Sequence, residues 1–207
     1  MDAEKIRDAM LARAKGASRF LVALAGPPAA GKSTLAERLL VLLPEGQAAV
    51  VPMDGFHYDD LVLAQKGLSH RKGAPETFDF RGFEVLLERL RSGKDDVAIP
   101  LFDRGMELSR AAAAIVGRAH RTVVVEGNYL LLDEEPWRRL KPLFDMTVFV
   151  DVPQHELERR LVERWRFHGR EEEAARRWID TNDMPNIRRV LSRPLPADLV
   201  VGMPPEK

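Results

Sequence analysis

The sequence predicts an α/β fold in which a central parallel sheet is covered by helices on both faces, giving three layers. Five apolar runs rich in β-branched residues are typical of buried strands, and helical patterns lie between most of them. No linker rich in Gly, Ser or Pro divides the 207 residues, so we expect one domain over residues 1–207. The predicted strands are Phe20–Ala25, Ala48–Pro52, Val97–Leu101, Thr122–Val125 and Thr147–Val150.

Apolar residues at helical spacing predict the helices that cover this sheet. An amphipathic helix over residues 2–15 ends at Gly16. Residues 153–191 are predicted to be mainly helical, with Ala197–Val201 as a short closing strand. The other predicted helices are Lys32–Leu43, Gly82–Arg91, Ser109–Ala119 and Pro136–Lys141.

Composition excludes several classes of function. Lys plus Arg and Asp plus Glu both number 32, which disfavours a protein held on nucleic acid or an anionic membrane by charge. The absence of cysteine removes disulfides, thiolate nucleophiles and Cys-ligated zinc. No apolar run approaches the ~18 residues that span a bilayer, and the N-terminus lacks the apolar core of a signal peptide. We therefore expect a cytoplasmic protein with no nucleic-acid or membrane partner.

Residues 26–33, Gly-Pro-Pro-Ala-Ala-Gly-Lys-Ser, match the phosphate-loop pattern G-x-x-x-x-G-K-[ST] and lie between a predicted strand and a predicted helix. Glycines let backbone N–H groups turn toward a polyphosphate, and the helix N-terminus adds a positive dipole end. Lys32 is expected to reach the β- and γ-phosphates, and the Ser33 hydroxyl to ligate Mg²⁺. The predicted nucleotide contacts in this loop are Gly26, Ala29, Ala30, Gly31, Lys32, Ser33 and Thr34.

Three other apolar runs end in an acid: Asp54, Glu126 and Asp151. Because parallel strands deliver their carboxyl ends to one edge of a sheet, we expect these acids near the phosphate loop. One would serve the Mg²⁺, and another would orient the attacking group and accept its proton late, a contribution of roughly 10²–10⁴-fold. The alternative is an acid that only ends its strand, which fits Asp151 best because Pro153 follows where a helix would begin.

Four further segments follow the phosphate loop in an order that carries a family resemblance. They are Asp54-Gly55-Phe56-His57, Thr77-Phe78-Asp79, Pro100-Leu101-Phe102-Asp103-Arg104 and Val125-Glu126-Gly127-Asn128-Tyr129. This succession resembles the phosphoribulokinase/uridine kinase/pantothenate kinase superfamily, whose members transfer the ATP γ-phosphate to a hydroxyl of a small molecule. Within it, residues 71–75, 102–104 and 126–131 are most similar to bacterial fructose transport system kinases, or fructokinase-like proteins. The resemblance covers nearly the whole chain after about residue 18.

The resemblance implies a P-loop NTPase fold that uses ATP and Mg²⁺. Asp54 would activate the acceptor hydroxyl, Lys32 would hold phosphate, and Ser33 and Glu126 would lie at the metal. An Arg-rich helical lid over about residues 159–182 would close over the phosphates. Arg160 and Arg164 are four apart on one helix face and are expected to reach the nucleotide. The acceptor-pocket positions implied by the family include His57, Phe78, Asp79, Phe102 and Arg104. Phe56, which is close to the strand-end acid Asp54, and Asn128 are predicted as further acceptor contacts.

The acceptor itself stays open at this stage. Nucleoside kinases of the family carry a Tyr-Asp segment with a later Arg, where this chain has Phe102-Asp103-Arg104, and His168 stands where uridine kinases often have Arg. A fructose-like sugar is preferred, with a nucleoside or pantothenate as alternatives. A nucleotide-binding regulator linked to sugar transport is a second class, disfavoured by Asp54 beside an aromatic segment. We further expect a homodimer and three Trp residues that only pack. The basic loop at residues 70–73 is expected to be solvated, with contact to an anionic acceptor or a phosphorylated product as the alternative.

Overall fold

A computed structural model describes residues 3–202 of the chain. Within that range, strands and helices alternate as expected for an α/β protein. The strands are β1 (Phe20–Ala25), β2 (Ala48–Pro52), β3 (Val97–Asp103), β4 (Leu108–Val116), β5 (Thr122–Gly127), β6 (Met146–Asp151) and β7 (Leu199–Gly202). The α-helices are α1 (Ala3–Arg13), α2 (Lys32–Leu42), α3 (Asp60–Gln65), α4 (Phe80–Ser92), α5 (Gln154–Phe167), α6 (Glu172–Trp178) and α7 (Met184–Ser192). Short 3₁₀ helices cover Met53–Phe56, Ser69–Arg71, Pro75–Thr77 and Trp137–Leu143, and a π-helical turn covers Ile179–Asp183.

The central sheet has five parallel strands in the order β2-β5-β1-β6-β7. All six residues of β1 are buried, because this central strand is covered on both faces. At the carboxyl edge, Ala25 pairs with Gly127 and Pro52 pairs with Glu126. The register therefore brings the ends of β1, β2 and β5 together at one edge, as predicted for an α/β sheet.

Alternate residues of β1 enter two cores on opposite faces of the sheet. Leu21 and Ala23 pack with α4 and the 3₁₀ helix Trp137–Leu143. Val22 and Leu24 pack with α1, α2, α5 and α7. The predicted three-layer α/β/α architecture is thus confirmed, and the predicted closing strand supplies the fifth strand of the sheet.

The prediction of a helix over Ser109–Ala119 is wrong. These residues belong mostly to β4, which pairs antiparallel with β3 in a separate two-stranded sheet, so the predicted strand Val97–Leu101 is a strand outside the parallel sheet. The run Ala111–Ala114 has a high intrinsic helix propensity, which pairing with a distant strand overrides. The ladder shifts register between Ile99 and Leu101, opposite Ala112, whose φ is 51°. Pro100, which has no N–H to donate, lies at this irregularity.

Smaller differences concern the ends and types of helices. The predicted helix at residues 2–15 covers Ala3–Arg13, and residue 2 lies outside the described residues. The predicted helix Pro136–Lys141 is the 3₁₀ helix Trp137–Leu143. The sequence patterns did not predict α3, which begins after Asp59, whose side chain accepts a hydrogen bond from Leu61 N. Among residues 3–202, no helix combines the length and apolar character needed to cross a membrane.

Candidate active site

The phosphate loop, residues 26–33, joins the buried strand β1 to helix α2. A Cβ atom at Gly26 would lie 2.6 Å from the Val150 carbonyl oxygen of β6, so only glycine fits this turn. Gly31 has a φ of 87° and directly precedes the first residue of α2. The loop therefore brings its backbone to a helix N-terminus, where N–H groups without intrahelical partners attract anions.

The Lys32 side chain lies inside this loop and is 6% exposed. Its Nζ donates to the Pro27 carbonyl oxygen at 2.8 Å and to Asn128 Oδ1 at 2.7 Å. Burial lowers the pKa of Lys32 to about 8, against the opposing effect of the Glu126 and Asp54 carboxylates. Two neutral acceptors thus hold the ammonium in place, and no carboxylate of residues 3–202 forms an ion pair with it, a state that suits a phosphate ligand.

Ser33 and Glu126 form the second pair at this sheet edge. Ser33 Oγ donates to Glu126 Oε1 at 3.1 Å. Burial and the nearby Asp54 raise the pKa of Glu126, while Lys32 and the Ser33 hydrogen bond oppose this rise. No cluster of three His, Cys, Asp or Glu side chains suited to a metal occurs within residues 3–202. A hydroxyl and one or two carboxylates nevertheless fit Mg²⁺, which in kinases takes its other oxygen ligands from phosphates and water.

Asp54 follows β2 in the 3₁₀ helix Met53–Phe56 and faces the same edge. Arg104, from the connection between β3 and β4, places its Nη2 2.7 Å from Asp54 Oδ2. His57 Nδ1 lies 2.8 Å from the Asp54 carbonyl oxygen. Burial alone would raise the pKa of Asp54, but the charges of His57, Arg104, Lys32 and Arg164 outweigh it and lower the pKa. Asp54 is therefore an ionised carboxylate with 26% of its side chain exposed, available to an incoming group.

A single cavity of about 760 Å³ joins the phosphate loop, Asp54 and the arginine-rich helix α5. On the side of Asp54 it is walled by Phe102, whose ring lies 4.9 Å from the His57 ring. The structure therefore brings together most of the predicted site. The predicted residues that line the cavity are Ala29, Gly31, Lys32, Ser33, Thr34, Asp54, His57, Phe102, Arg104, Glu126, Asn128, Arg160 and Arg164.

Five predicted site residues do not line the cavity, and their packing explains each of them. Phe56 packs on Phe83 at 5.0 Å between ring centres, and Phe78, 3% exposed, packs edge-on against two core aromatic rings. Asp79 Oδ1 accepts the Gly82 N–H at 3.0 Å and so caps the start of α4. Phe56 and Phe78 thus pack in the core and Asp79 caps a helix, so the structure does not bring these three predicted acceptor contacts to the cavity wall. Gly26 and Ala30 belong to the phosphate loop but do not face the cavity. Gly26 packs against Val150, and the Ala30 methyl group is fully buried.

Helix α5 presents Arg160 and Arg164 to the cavity in different ways. Arg160 donates to Glu156 Oε1 at 2.7 Å and to the Ala29 carbonyl oxygen of the phosphate loop at 3.2 Å. The Arg164 guanidinium has no hydrogen bond or ion pair with the residues that the structure describes; burial and the nearby Arg104 lower its pKa. Asp151 ends β6 as an exposed residue away from the cavity lining, so Glu126 is the acid beside Ser33.

Sequence reasoning missed several residues on the cavity wall. Lys72, predicted to lie in a solvated loop, contacts Asp60 Oδ1 at 2.8 Å and Glu107 Oε2 at 3.3 Å, and its Nζ is 5.6 Å from the centre of the Phe102 ring. These partners lie far apart in sequence, so no local signal could have found them. On the side of α5 and α6 the wall adds Trp165, Trp178 and Asp183, which were not predicted, and Arg170, which the family resemblance had placed in the Arg-rich segment.

These features define a P-loop kinase, and comparison with known proteins gives the family. Residues 21–206 match the Phosphoribulokinase / Uridine kinase family, so the chain belongs to that family. The protein is a small-molecule kinase, and membership implies ATP-dependent phosphoryl transfer to a small molecule.

Individual relatives agree with this assignment. The uncharacterized protein YggC of Escherichia coli K12 is 36% identical over 195 residues, covering 91% of this chain and 79% of that protein. A pantothenate kinase from Sorangium cellulosum is 31% identical over 78% of this chain, which spans 54% of that protein. A solved structure, a proposed fructose transport system kinase from Silicibacter sp. TM1040, is 43% identical with a TM-score of 0.90, covering 97% of this chain and 99% of that one.

Proposed function

We propose that the protein transfers the γ-phosphate of ATP, with Mg²⁺, to a hydroxyl of an uncharged polyhydroxylated metabolite, a fructose-like sugar. One observation carries this proposal: the Asp54 carboxylate shares one cavity with Lys32 of the phosphate loop and with the ring of Phe102. A base for a hydroxyl, a site for the triphosphate and an aromatic wall for the apolar face of a sugar are thereby combined.

The proposed chemistry follows from the contacts at the sheet edge. Lys32 and the loop N–H groups hold the β- and γ-phosphates. Ser33 and Glu126 hold Mg²⁺, which when bound offsets the charge of the phosphate oxygens. Asp54 accepts a hydrogen bond from the acceptor hydroxyl and orients its oxygen toward the γ-phosphorus. As the new P–O bond forms and ADP leaves, Asp54 takes the hydroxyl proton.

Charge pairing on the Asp54 side of the cavity supports an uncharged acceptor. Lys72 is paired with Asp60 and Glu107, and Arg104 is paired with Asp54. These ion pairs still have oxygen lone pairs and N–H groups that can form hydrogen bonds with hydroxyls. An acceptor with a carboxylate or phosphate would have to break one of the ion pairs in order to bind the cation. The name given to the 43% identical structure, a proposed fructose transport system kinase, agrees with a sugar acceptor.

The first test measures ADP release from MgATP over a panel of ketoses, aldoses, sugar phosphates, nucleosides and pantothenate. Wild type is compared with Asp54→Asn and Lys32→Ala. Asp151→Asn is the matched control, because Asp151 also ends a strand of the same sheet but lies outside the cavity lining. We expect an uncharged sugar to raise ADP release far above background hydrolysis. In Asp54→Asn the acceptor-stimulated rate of ADP release should fall about 10²–10⁴-fold while ATP still binds. In Asp151→Asn this rate should match wild type.

Other results would redirect the assignment. Stimulation by pantothenate or a sugar phosphate, with no response to uncharged sugars, would contradict the proposed acceptor class and keep the kinase activity. If no compound stimulates and Asp54→Asn matches wild type, the nucleotide site would serve regulation rather than transfer to these acceptors.

A further inference from the structure

The lid side of the cavity contains a stack of alternating cations and aromatic rings. The Arg170 guanidinium carbon lies 4.4 Å from the centre of the Trp165 ring and 4.8 Å from that of Trp178. The Arg164 guanidinium carbon lies 5.8 Å from the Trp165 ring. The order Trp178–Arg170–Trp165–Arg164, here called the cation–aromatic stack, connects α6 to α5, and all four residues line the cavity.

Two features hold the stack in place. Trp165 Nε1 donates to Asp183 Oδ2 at 2.8 Å, and Asp183 ends the π-helical turn Ile179–Asp183, a geometry often found at functional sites. Arg170 Nη1 is buried and has no hydrogen-bond partner within residues 3–202. Both rings lie at distances from this guanidinium at which cation–aromatic attraction is effective.

Arg164 stands at the end of the stack that faces the reacting groups. Its charge interacts with those of Arg104, Asp54 and Asp183. It also contributes to lowering the pKa values of Lys32 and Asp54. Arg160, by contrast, is tied to Glu156 and to Ala29. A long arginine side chain loses much rotamer freedom when it binds, so a ring that already confines it lowers that cost.

We propose that the cation–aromatic stack positions Arg164 to contact the γ-phosphate, with Trp165, Arg170 and Trp178 as positioning residues that act through Arg164. This inference rests on the proposed function, because it assumes a triphosphate bound at the phosphate loop. It goes beyond that function because it gives a positioning role to side chains that need not touch the nucleotide.

The test compares two ligands that differ at the γ-phosphate: the β,γ-imido analogue of ATP and ADP, each with Mg²⁺. Titration calorimetry gives the ratio of their dissociation constants for wild type, Arg164→Ala, Arg170→Met and the double variant. We expect Arg164→Ala to weaken the ATP analogue relative to ADP by about tenfold, the size of one charge-assisted hydrogen bond. Arg170→Met should weaken it by about threefold or more. In the Arg164→Ala background, Arg170→Met should add no further effect.

Control and second variants separate positioning from simple packing. Arg177→Met is the control, because Arg177 lies on α6 next to Trp178, is exposed, and forms its ion pair with Glu173. Trp178→Leu removes one aromatic ring of the stack, so it should lose the preference for the ATP analogue over ADP. Trp178→Phe keeps a ring at this position and should largely retain that preference. If near-UV circular dichroism shows that Arg170→Met does not fold, the two Trp178 variants test the stack in its place.

Three results would overturn the inference. The first is that both Arg170→Met and Trp178→Leu keep the wild-type ratio of the two dissociation constants. The second is that Arg170→Met weakens the ATP analogue relative to ADP just as much when Arg164 has already been replaced by Ala. The third is an active wild type whose ligand ratio is insensitive to Arg164→Ala, which would overturn the inference and leave the proposed function standing. A wild type that binds neither nucleotide would overturn both.

Discussion

Arg104 and Asp54 form an ion pair of 2.7 Å that joins the β3–β4 connection to the turn after β2. The pair keeps a carboxylate charged at a position where burial favours its neutral form. The antiparallel hairpin, which stands outside the central sheet, thereby supplies a side chain that controls the candidate base.

Removing that pair should change the pH dependence of phosphoryl transfer. Arg104 is one of the groups that lower the pKa of Asp54, so Arg104→Met should raise this pKa. Because the base must be deprotonated, the acidic fall in kcat/KM should then begin at a higher pH than in wild type. The pH profile with the identified acceptor measures this. Arg110→Met, whose ion pair with Asp103 lies away from the cavity lining, is the control, and coincident acid limbs for Arg104→Met and wild type would contradict the prediction.

Nucleotide affinity should depend on the protonation of Lys32. Its pKa is lowered to about 8 without nucleotide, and a bound polyphosphate favours the charged form and raises the pKa again. Affinity for MgATP should therefore be nearly constant below about pH 8 and weaken as the pH rises above it, with proton uptake on binding near pH 8–9. Calorimetry in buffers of different ionisation enthalpy detects that uptake. Lys32→Met should abolish both effects, and a wild-type affinity that stays flat up to pH 9.5 would refute this account.

Two glycine substitutions should differ strongly in stability. Gly26→Ala forces a Cβ to within 2.6 Å of the Val150 carbonyl oxygen, and backbone at the sheet centre cannot move away cheaply. We expect a loss of at least about 2 kcal/mol in the free energy of unfolding. Gly46→Ala, with a φ of 69° and no atom within 4 Å of the new Cβ, should cost only about 1 kcal/mol. Urea denaturation compares them, and equal losses would show that the contact with Val150 relaxes.

Asn182 should couple the lid side to the loop that carries Lys72. The Asn182 side chain, 1% exposed, accepts from Arg71 Nη1 at 3.1 Å and donates to the Lys72 carbonyl oxygen at 2.8 Å. Asn182→Ala removes both hydrogen bonds, although Arg71 keeps Asn186 and Glu76 as partners, and should cost about 1–3 kcal/mol in the free energy of unfolding. Because Lys72 walls the Asp54 side of the cavity, the KM for the acceptor should rise more than that for ATP.

Thr181→Ala is the neighbouring control, since Thr181 is exposed and its hydroxyl donates to the Arg177 carbonyl oxygen of its own helical segment. Equal changes in the two KM values for Asn182→Ala would count against a specific link to the acceptor side.

Much of the candidate site was predictable because its signals are local. The phosphate loop needs glycines, a lysine and a serine at fixed spacing between a strand and a helix, and Lys32 and Ser33 lie where that pattern predicts. Asp54 and Glu126 were found because parallel strands end at one edge. Phe56, Phe78 and Asp79 misled the prediction, because an aromatic ring beside a site and one in the core look alike in sequence, as do a binding and a capping carboxylate.

The sequence by itself determined the buried strands of the central sheet, the phosphate loop and the two acids at its edge, because each depends on neighbours along the chain. Only the tertiary structure decided that Ala111–Ala114 lie in a strand, that Arg104 reaches Asp54, and that Arg170 lies between Trp165 and Trp178. The physical reason is that pairing across a hairpin and packing between helices join residues distant in sequence. Their free energy can override local propensity without leaving a local pattern.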